Sequence, residues 1–275
     1  MSEQEVSQAP ITRKPTAFDK RIHEIDFIRG LLIGLVLMDH LFWCLQHYNG
    51  IWMHTTGGAF FETMYKIFSF YWNNTARDVV RFFALFGFCF VSGISSAFSR
   101  NNWIRAGQML LVFALIAVGS NLIDASHLLG ESQGSVRIDF NVIGVLAWST
   151  LFYCFTQGKT WRSILVGVLI TFLLSWYFVP ELTKLYMEKG WNAYVPPLWE
   201  PEDQADWMPL FPFIFFFFGG ALFSYFVYAK KKSIIPHKGN WERPFCFMGR
   251  HSLWIYLGHQ VVMLPFFLLL NNFLG

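Results

Sequence analysis

RIHEIDFIRGLLIGLVLMDHLFWCLQHY, residues 21–48, is the stretch on which the fold turns. From Phe27 onward it reads as a membrane-spanning helix, yet it carries Asp26, Arg29, Asp39 and His40. Ionisable groups inside a span are costly, and they face a bundle interior or a watery cavity. Arg29 and His40 are eleven residues apart. At ~100° per residue this is about three full turns, so both fall on one stripe, roughly 16 Å apart along the axis. Asp26, Ile33, Val36 and His47 lie near the same stripe. One face thus carries a charged pair near its start, a histidine deeper in and a second histidine near its far end. The expectation is that Arg29 and His40 open on one interior vestibule.

Composition extends this reading to the whole chain. Of 275 residues, 54% are hydrophobic and 14% charged, where a soluble domain carries about a quarter charged. Aromatics reach 20%. Apolar runs of ~20 residues recur, as a multi-span protein requires. Residues 1–20 are polar and contain proline, which predicts a disordered cytosolic tail; residues 21–275 form one transmembrane domain. The first span reads as an uncleaved anchor, because no charged n-region leads directly into an apolar h-region and a cleavage site. The cysteines, Cys44, Cys89, Cys154 and Cys246, form no C-x-x-C pair and read as small buried side chains. Neither a disulfide framework nor a metal site is expected.

The fold class is all-α: a polytopic membrane helical bundle of about seven spans, placed at 27–48, 79–98, 103–123, 139–156, 161–180, 208–229 and 250–271. The fifth is expected to stop at Pro180, where the ring breaks the backbone ladder. Residues 49–78 add a short interfacial or re-entrant helix. With the N-terminus inside, cytosolic segments hold 15 of the 21 Lys and Arg, which predicts N-in/C-out. Lys230–Lys232 closes a span on that side and reads as a topology anchor; no nucleic-acid partner is expected. Residues 181–207 hold six carboxylates and three Trp. Trp anchoring at the interface and a ligand-facing loop both account for them.

Each polar residue has two readings. Asp26 and Arg29, spaced i, i+3, suit an ion pair. Arg29 either snorkels to the headgroups or lines a mouth that receives an anion such as a carrier phosphate. His40 is either a hydrogen-bonding group between helices or an acid–base residue. Asp39, ~100° round the helix, faces another element and orients a partner there. His259, within LWIYLGHQ, is either a satisfied core histidine or a neighbour of His40 or His47. Arg81, with Asp78 three residues earlier, suits an ion pair at a helix end. No Walker loop, G-x-G-x-x-G, H-E-x-x-H or G-x-S-x-G is present.

These stretches have a family resemblance. RIHEIDFIRGLLIGLVLMDH resembles the opening of bacterial membrane proteins that carry the heparan-alpha-glucosaminide N-acetyltransferase catalytic domain. Its Arg-x10-His spacing is similar to that of the broader membrane acyltransferases that acylate sugars. FGFCFVSGISSAFSR, ADWMPLFPFIFFFFGGALF and FMGRHSLWIYLGHQ resemble three further segments of the same family, in order, over residues ~21–271. The resemblance implies transfer of an acetyl or other acyl group from acyl-CoA at the cytosolic face to a hydroxyl or amine of a glycan or amino sugar. His40 is then the first catalytic candidate, with Asp39 beside it. Arg29 and Asp26 serve the donor, and Arg81, His259 and Trp207 the acceptor. In the lysosomal branch the position matching His40 is not histidine. The candidate there comes slightly later, before an Asn-Gly resembling Asn49-Gly50, which points to His47. The chain is also shorter than that branch, so its substrate does not carry over. The expected setting is the inner membrane, in contact with lipid and with a homodimer left open. Two other classes stay in view: a transporter or scaffold, and a b-type haem protein ligated by His40 and His259.

Overall fold

The computed structural model describes residues 22–56, 59–126, 137–156, 160–189, 197–198, 206–229, 232–235 and 239–274. The tail read over residues 1–20 lies outside them, as does most of the carboxylate-rich stretch after Lys189. Among the described residues the chain is helical, without strands. The helices are α1 (His23–Thr56), α2 (Ala59–Trp72), α3 (Thr75–Phe98), α4 (Asn102–Ala125), α5 (Val142–Cys154), α6 (Trp161–Leu173), α7 (Val179–Lys189), α8 (Phe213–Val227), α9 (Arg243–Arg250) and α10 (Ser252–Leu274).

Among the described residues, four stretches are long and apolar enough to cross a membrane: His23–Leu45, Thr75–Phe98, Asn102–Ala125 and Trp161–Leu185. Three expected spans coincide with shorter apolar helices, Val142–Cys154, Phe213–Val227 and Ser252–Phe267. The short helix expected within 49–78 is α2.

Asparagine starts three of these helices. Asn74 accepts from the Ala76 N–H (2.8 Å), Asn101 from Ile104 (3.1 Å) and Asn141 from Ile143 and Gly144 (3.1 and 3.2 Å). Each side chain thereby satisfies amides that the helix itself leaves open. The expected stop at Pro180 does not occur. α6 runs through a π-helical segment, Leu174–Phe178, into α7, and Pro180 is the second residue of α7. The wider π turn changes the hydrogen-bond register just before the proline, so its missing N–H and its ring are accommodated without ending the helix.

Burial sorts the helices. α5 is apolar all round and ten of its thirteen residues are buried, so it forms the centre. α8 packs beside it, burying Phe213, Ile214, Phe217 and Phe218. α4 turns outward a stripe of Leu111, Leu115, Val118 and Leu122, each about 60% exposed. An apolar ridge at that spacing, opposite a packed face, is the surface a helix presents to lipid.

Two seams hold the bundle where helices cross closely. Between α1 and α9, a β-carbon on Gly30 would fall inside the Phe245 carbonyl, and one on Gly249 inside the Asp26 carbonyl. Between α3 and α8, Gly93 meets the Phe217 carbonyl and Gly220 the Phe90 carbonyl in the same way. Lipid tails solvate leucine as well as another helix does, so such contacts rely on close backbone approach. α9 was not foreseen. Its eight residues are too few to span, and the reading placed the last span from residue 250.

The seams give a direct test. Gly93→Ala and Gly220→Ala each force carbonyl against methyl and destabilise by about 2 kcal/mol or more. Gly107→Ala, at a position inside α4 where a β-carbon meets nothing within 4 Å, costs no stability and raises it by up to about 1 kcal/mol. Thermal unfolding of the purified protein in detergent, followed by tryptophan fluorescence, reads the difference.

Candidate functional site

One ion pair organises the far half of α1. Arg77, in the first turn of α3, grips Asp39 of α1 with two hydrogen bonds, Nε to Oδ1 (2.9 Å) and Nη2 to Oδ2 (2.7 Å). The third nitrogen, Nη1, donates to Asp78 (3.2 Å). The guanidinium lies 3.7 Å over the Trp72 ring, and Tyr71 donates its hydroxyl to Asp39 Oδ1 (3.0 Å). Burial and the Asp39 carboxylate raise the Tyr71 pKa, so it remains a donor. The side chains of Arg77 and Asp39 are only 8% and 20% exposed. A bidentate, partly desolvated pair of this kind fixes the middle of α1, the end of α2 and the start of α3 at one point. Asp39 does face another element, as expected. Asp78, expected beside Arg81, pairs with Arg77 instead.

Next to this clamp lies a cavity of about 490 Å³, within the usual size of a small-molecule site. His40 lines it, with Trp43 from the same helix. α3 contributes Arg81, and α10 contributes Tyr256. Asp206 and Trp207 enter from the segment before α8. That segment is pinned by the Met208 N–H, which donates to the Phe140 carbonyl (3.0 Å), and by the Leu210 N–H, which donates to Pro197 (2.8 Å). Asp206 Oδ2 accepts from the Tyr256 hydroxyl (2.8 Å), which ties the segment to α10.

Arg81 is exposed and lines the cavity without a hydrogen bond or ion pair among the described residues. Its guanidinium is therefore open to an anion or a polar ligand. His259, one turn beyond Tyr256, brings its ring to 4.9 Å from that of His40, centroid to centroid. Rings in direct, tilted contact leave no slot for a porphyrin between them, so the haem reading does not fit. Among the described residues, no group of three or more His, Cys, Asp or Glu is arranged to hold a metal ion.

The other end of α1 is separate. Arg29 donates to the Ser95 hydroxyl and to the Gly249 carbonyl (3.4 Å), with Asp26 3.9 Å away. Arg105 of α4 donates to Ser96, the next residue of α3 (3.1 Å). Two guanidiniums thus sit on neighbouring serines. Arg29 does not line the His40 cavity, and Ile33, between them on the same stripe, is fully buried in the main core. The expectation of one shared vestibule is corrected accordingly: the stripe is real, but packed side chains divide it. His47 lies on α1, and its side chain falls outside the described residues. The residues that sequence reasoning missed are Arg77, Asp206, Tyr256 and Arg105, each a partner from a distant helix.

Among known families, the model of the heparan-alpha-glucosaminide N-acetyltransferase catalytic domain matches residues 21–261. No curated protein and no solved structure matches the chain.

Removing one half of the clamp strands a buried charge. Asp39→Leu and Arg77→Met are each expected to cost roughly 3 kcal/mol, and the Asp39→Leu/Arg77→Met pair less than the sum of its single changes. A double-mutant cycle on thermal stability in nanodiscs measures this.

Proposed function

Since the chain belongs to the heparan-alpha-glucosaminide N-acetyltransferase catalytic family, we propose that it is a multi-pass inner-membrane enzyme, with seven spans and N-in/C-out, that moves an acyl group from cytosolic acyl-CoA to a sugar hydroxyl or amine. One observation carries this reading: an imidazole, His40, lines a partly open cavity together with a tryptophan, a carboxylate and a guanidinium. Trp207 offers a face on which a sugar ring stacks. Asp206 and Arg81 offer an acceptor and a donor for its hydroxyls. His40 takes the proton of the attacking group as general base. His47 is the second candidate for that role. Asp39 acts through the clamp, holding the turn that presents His40.

The donor is assigned to the opposite end. Arg29, propped by Asp26 and joined by Arg105, suits the diphosphate of CoA, because the guanidinium fork matches phosphate oxygens. Arg29 and His40 lie roughly 16 Å apart along the helix. The pantetheine arm, comparable in bond count to four or five extended peptide residues, covers roughly 15 Å. Phosphates at Arg29 and a thioester at His40 are therefore compatible with one donor molecule, provided the packing around Ile33 gives way when it binds. The acceptor chemistry is set by the cavity, and heparan itself is not implied.

The test is transfer or hydrolysis of labelled acetyl-CoA by the purified protein in nanodiscs. His40→Ala is expected to lower kcat about 100-fold or more. Arg29→Ala is expected to raise the KM for acyl-CoA about tenfold with little change in kcat. Full turnover in both His40→Ala and His47→Ala removes the mechanism. Tight binding and movement of a solute without acyl transfer would favour a transporter.

A further inference from the structure

His259 is 8% exposed, yet its Nε2 has no hydrogen-bond partner among the described residues. Its other nitrogen is engaged: Nδ1 meets the backbone carbonyl of Tyr256. A carbonyl only accepts, so Nδ1 carries the hydrogen and donates it. In the neutral ring, Nε2 is then a bare lone pair. A buried acceptor left unpaired is costly, and native structures seldom keep one without a use. The nearest ring is that of His40, 4.9 Å away, and His40 lines the cavity while His259 does not.

Resting on the reading of His40 as general base, we infer that His259 is the positioning residue of that base, a neutral imidazole acceptor set behind it to hold its second N–H. During transfer, the proton of the attacking hydroxyl or amine passes to one nitrogen of His40. The attacking atom bonds to the acyl carbon, the thioester C–S bond breaks, and the leaving sulfur takes the proton back from His40. Between those two moments His40 is an imidazolium with two N–H groups. One faces the reactants. The other needs an acceptor, and the lone pair of His259 Nε2 supplies it after a small ring adjustment.

Among the described residues, the carboxylates nearest the pair are already engaged. Asp39 is held by Arg77 and Tyr71, and Asp206 accepts from Tyr256. The other charged groups around the pair are Arg81, across the cavity on α3, and the Arg77–Asp78 pair beside it. The Tyr256 carbonyl thus selects the tautomer of His259, and through it the orientation of His40.

The experiment is nitrogen-15 NMR of histidine-labelled protein in nanodiscs, paired with kinetics. The proposal expects His259 to carry its proton on Nδ1. It expects the Nε2 resonance to differ between wild type and His40→Phe at one pH, because the lone pair loses the His40 N–H as its partner. In His259→Leu, kcat falls about 100-fold while both KM values hold within about twofold. His259→Gln, whose amide oxygen restores an acceptor, recovers about tenfold of that loss. A proton on Nε2, a resonance indifferent to His40→Phe, or a Gln variant no better than Leu overturns the inference. Should the wild-type protein transfer no acyl group, the functional reading fails, and the NMR arm still decides whether the two rings are coupled.

Discussion

The bidentate contact between Asp39 and Arg77 is the constraint from which the cavity follows. In a low-dielectric setting neither charge is tolerable alone, so α1 and the start of α3 are obliged to meet there. Tyr71 and Trp72, consecutive residues at the end of α2, complete the hold, one by hydrogen bond and one by its ring face. The middle of α1, the end of α2 and the start of α3 are thus fixed at one level. His40 follows Asp39 in the chain, and the helix turns it ~100° away from the clamp. That rotation takes it off the α1–α3 contact and into the cavity. The charge pair therefore works as scaffolding, and the proposed base is the adjacent residue.

The glycine seams do the corresponding work for the rest of the bundle. They bring α9 against the first half of α1 and α8 against α3, backbone to backbone. The first seam delivers the Gly249 carbonyl to Arg29. The second is followed, one turn further along α3, by Ser95 and Ser96, on which the two arginines rest. Close packing thus positions one cationic end, and an ion pair positions the other. Between them, Ile33 belongs to the same apolar core as Phe88, Phe217 and Tyr256. A ligand touching both ends has to part that core, so such an enzyme depends on a motion that the closed bundle holds in check.

The apolar helices, the short α2 and the stripe of α1 were legible because each is a local property: apolar run length and a 3.6-residue period. His40, Arg81 and His259 stood out as residue types that are expensive in a membrane bundle, and Trp207 only through the resemblance. What sequence could not supply was partnership. Arg77 lies 38 residues from Asp39, and Tyr256 lies 50 from Asp206, with no local pattern joining either pair. Arg77 counted only as one charge on the outer side, and Asp78 was given to Arg81 because i, i+3 is the nearest geometric option on a single helix. The division of the stripe by Ile33 was hidden for a related reason. Helical phase says which residues share a face, and says nothing about whether a neighbouring helix fills the space in front of it. Pro180 misled through its neighbours, since five residues of π-helix ahead of it let the chain continue.

Because Arg77 and Tyr71 occupy Asp39, the carboxylate next in sequence to His40 is unavailable to it. This matters for the chemistry of a base buried in a bundle. A carboxylate hydrogen-bonded to an imidazole in a medium of low dielectric favours the charged pair, and a base that rests as an imidazolium has already taken its proton. A neutral acceptor exerts a much weaker pull. It leaves the resting ring uncharged and free to accept, yet offers a partner once a proton has arrived. His259, with its hydrogen committed to a backbone carbonyl and its lone pair unspent, is an acceptor of that kind. In the proposed mechanism two tasks that a single aspartate would confuse are separated: the ion pair bears the structural load, and a neutral acceptor stands behind the base.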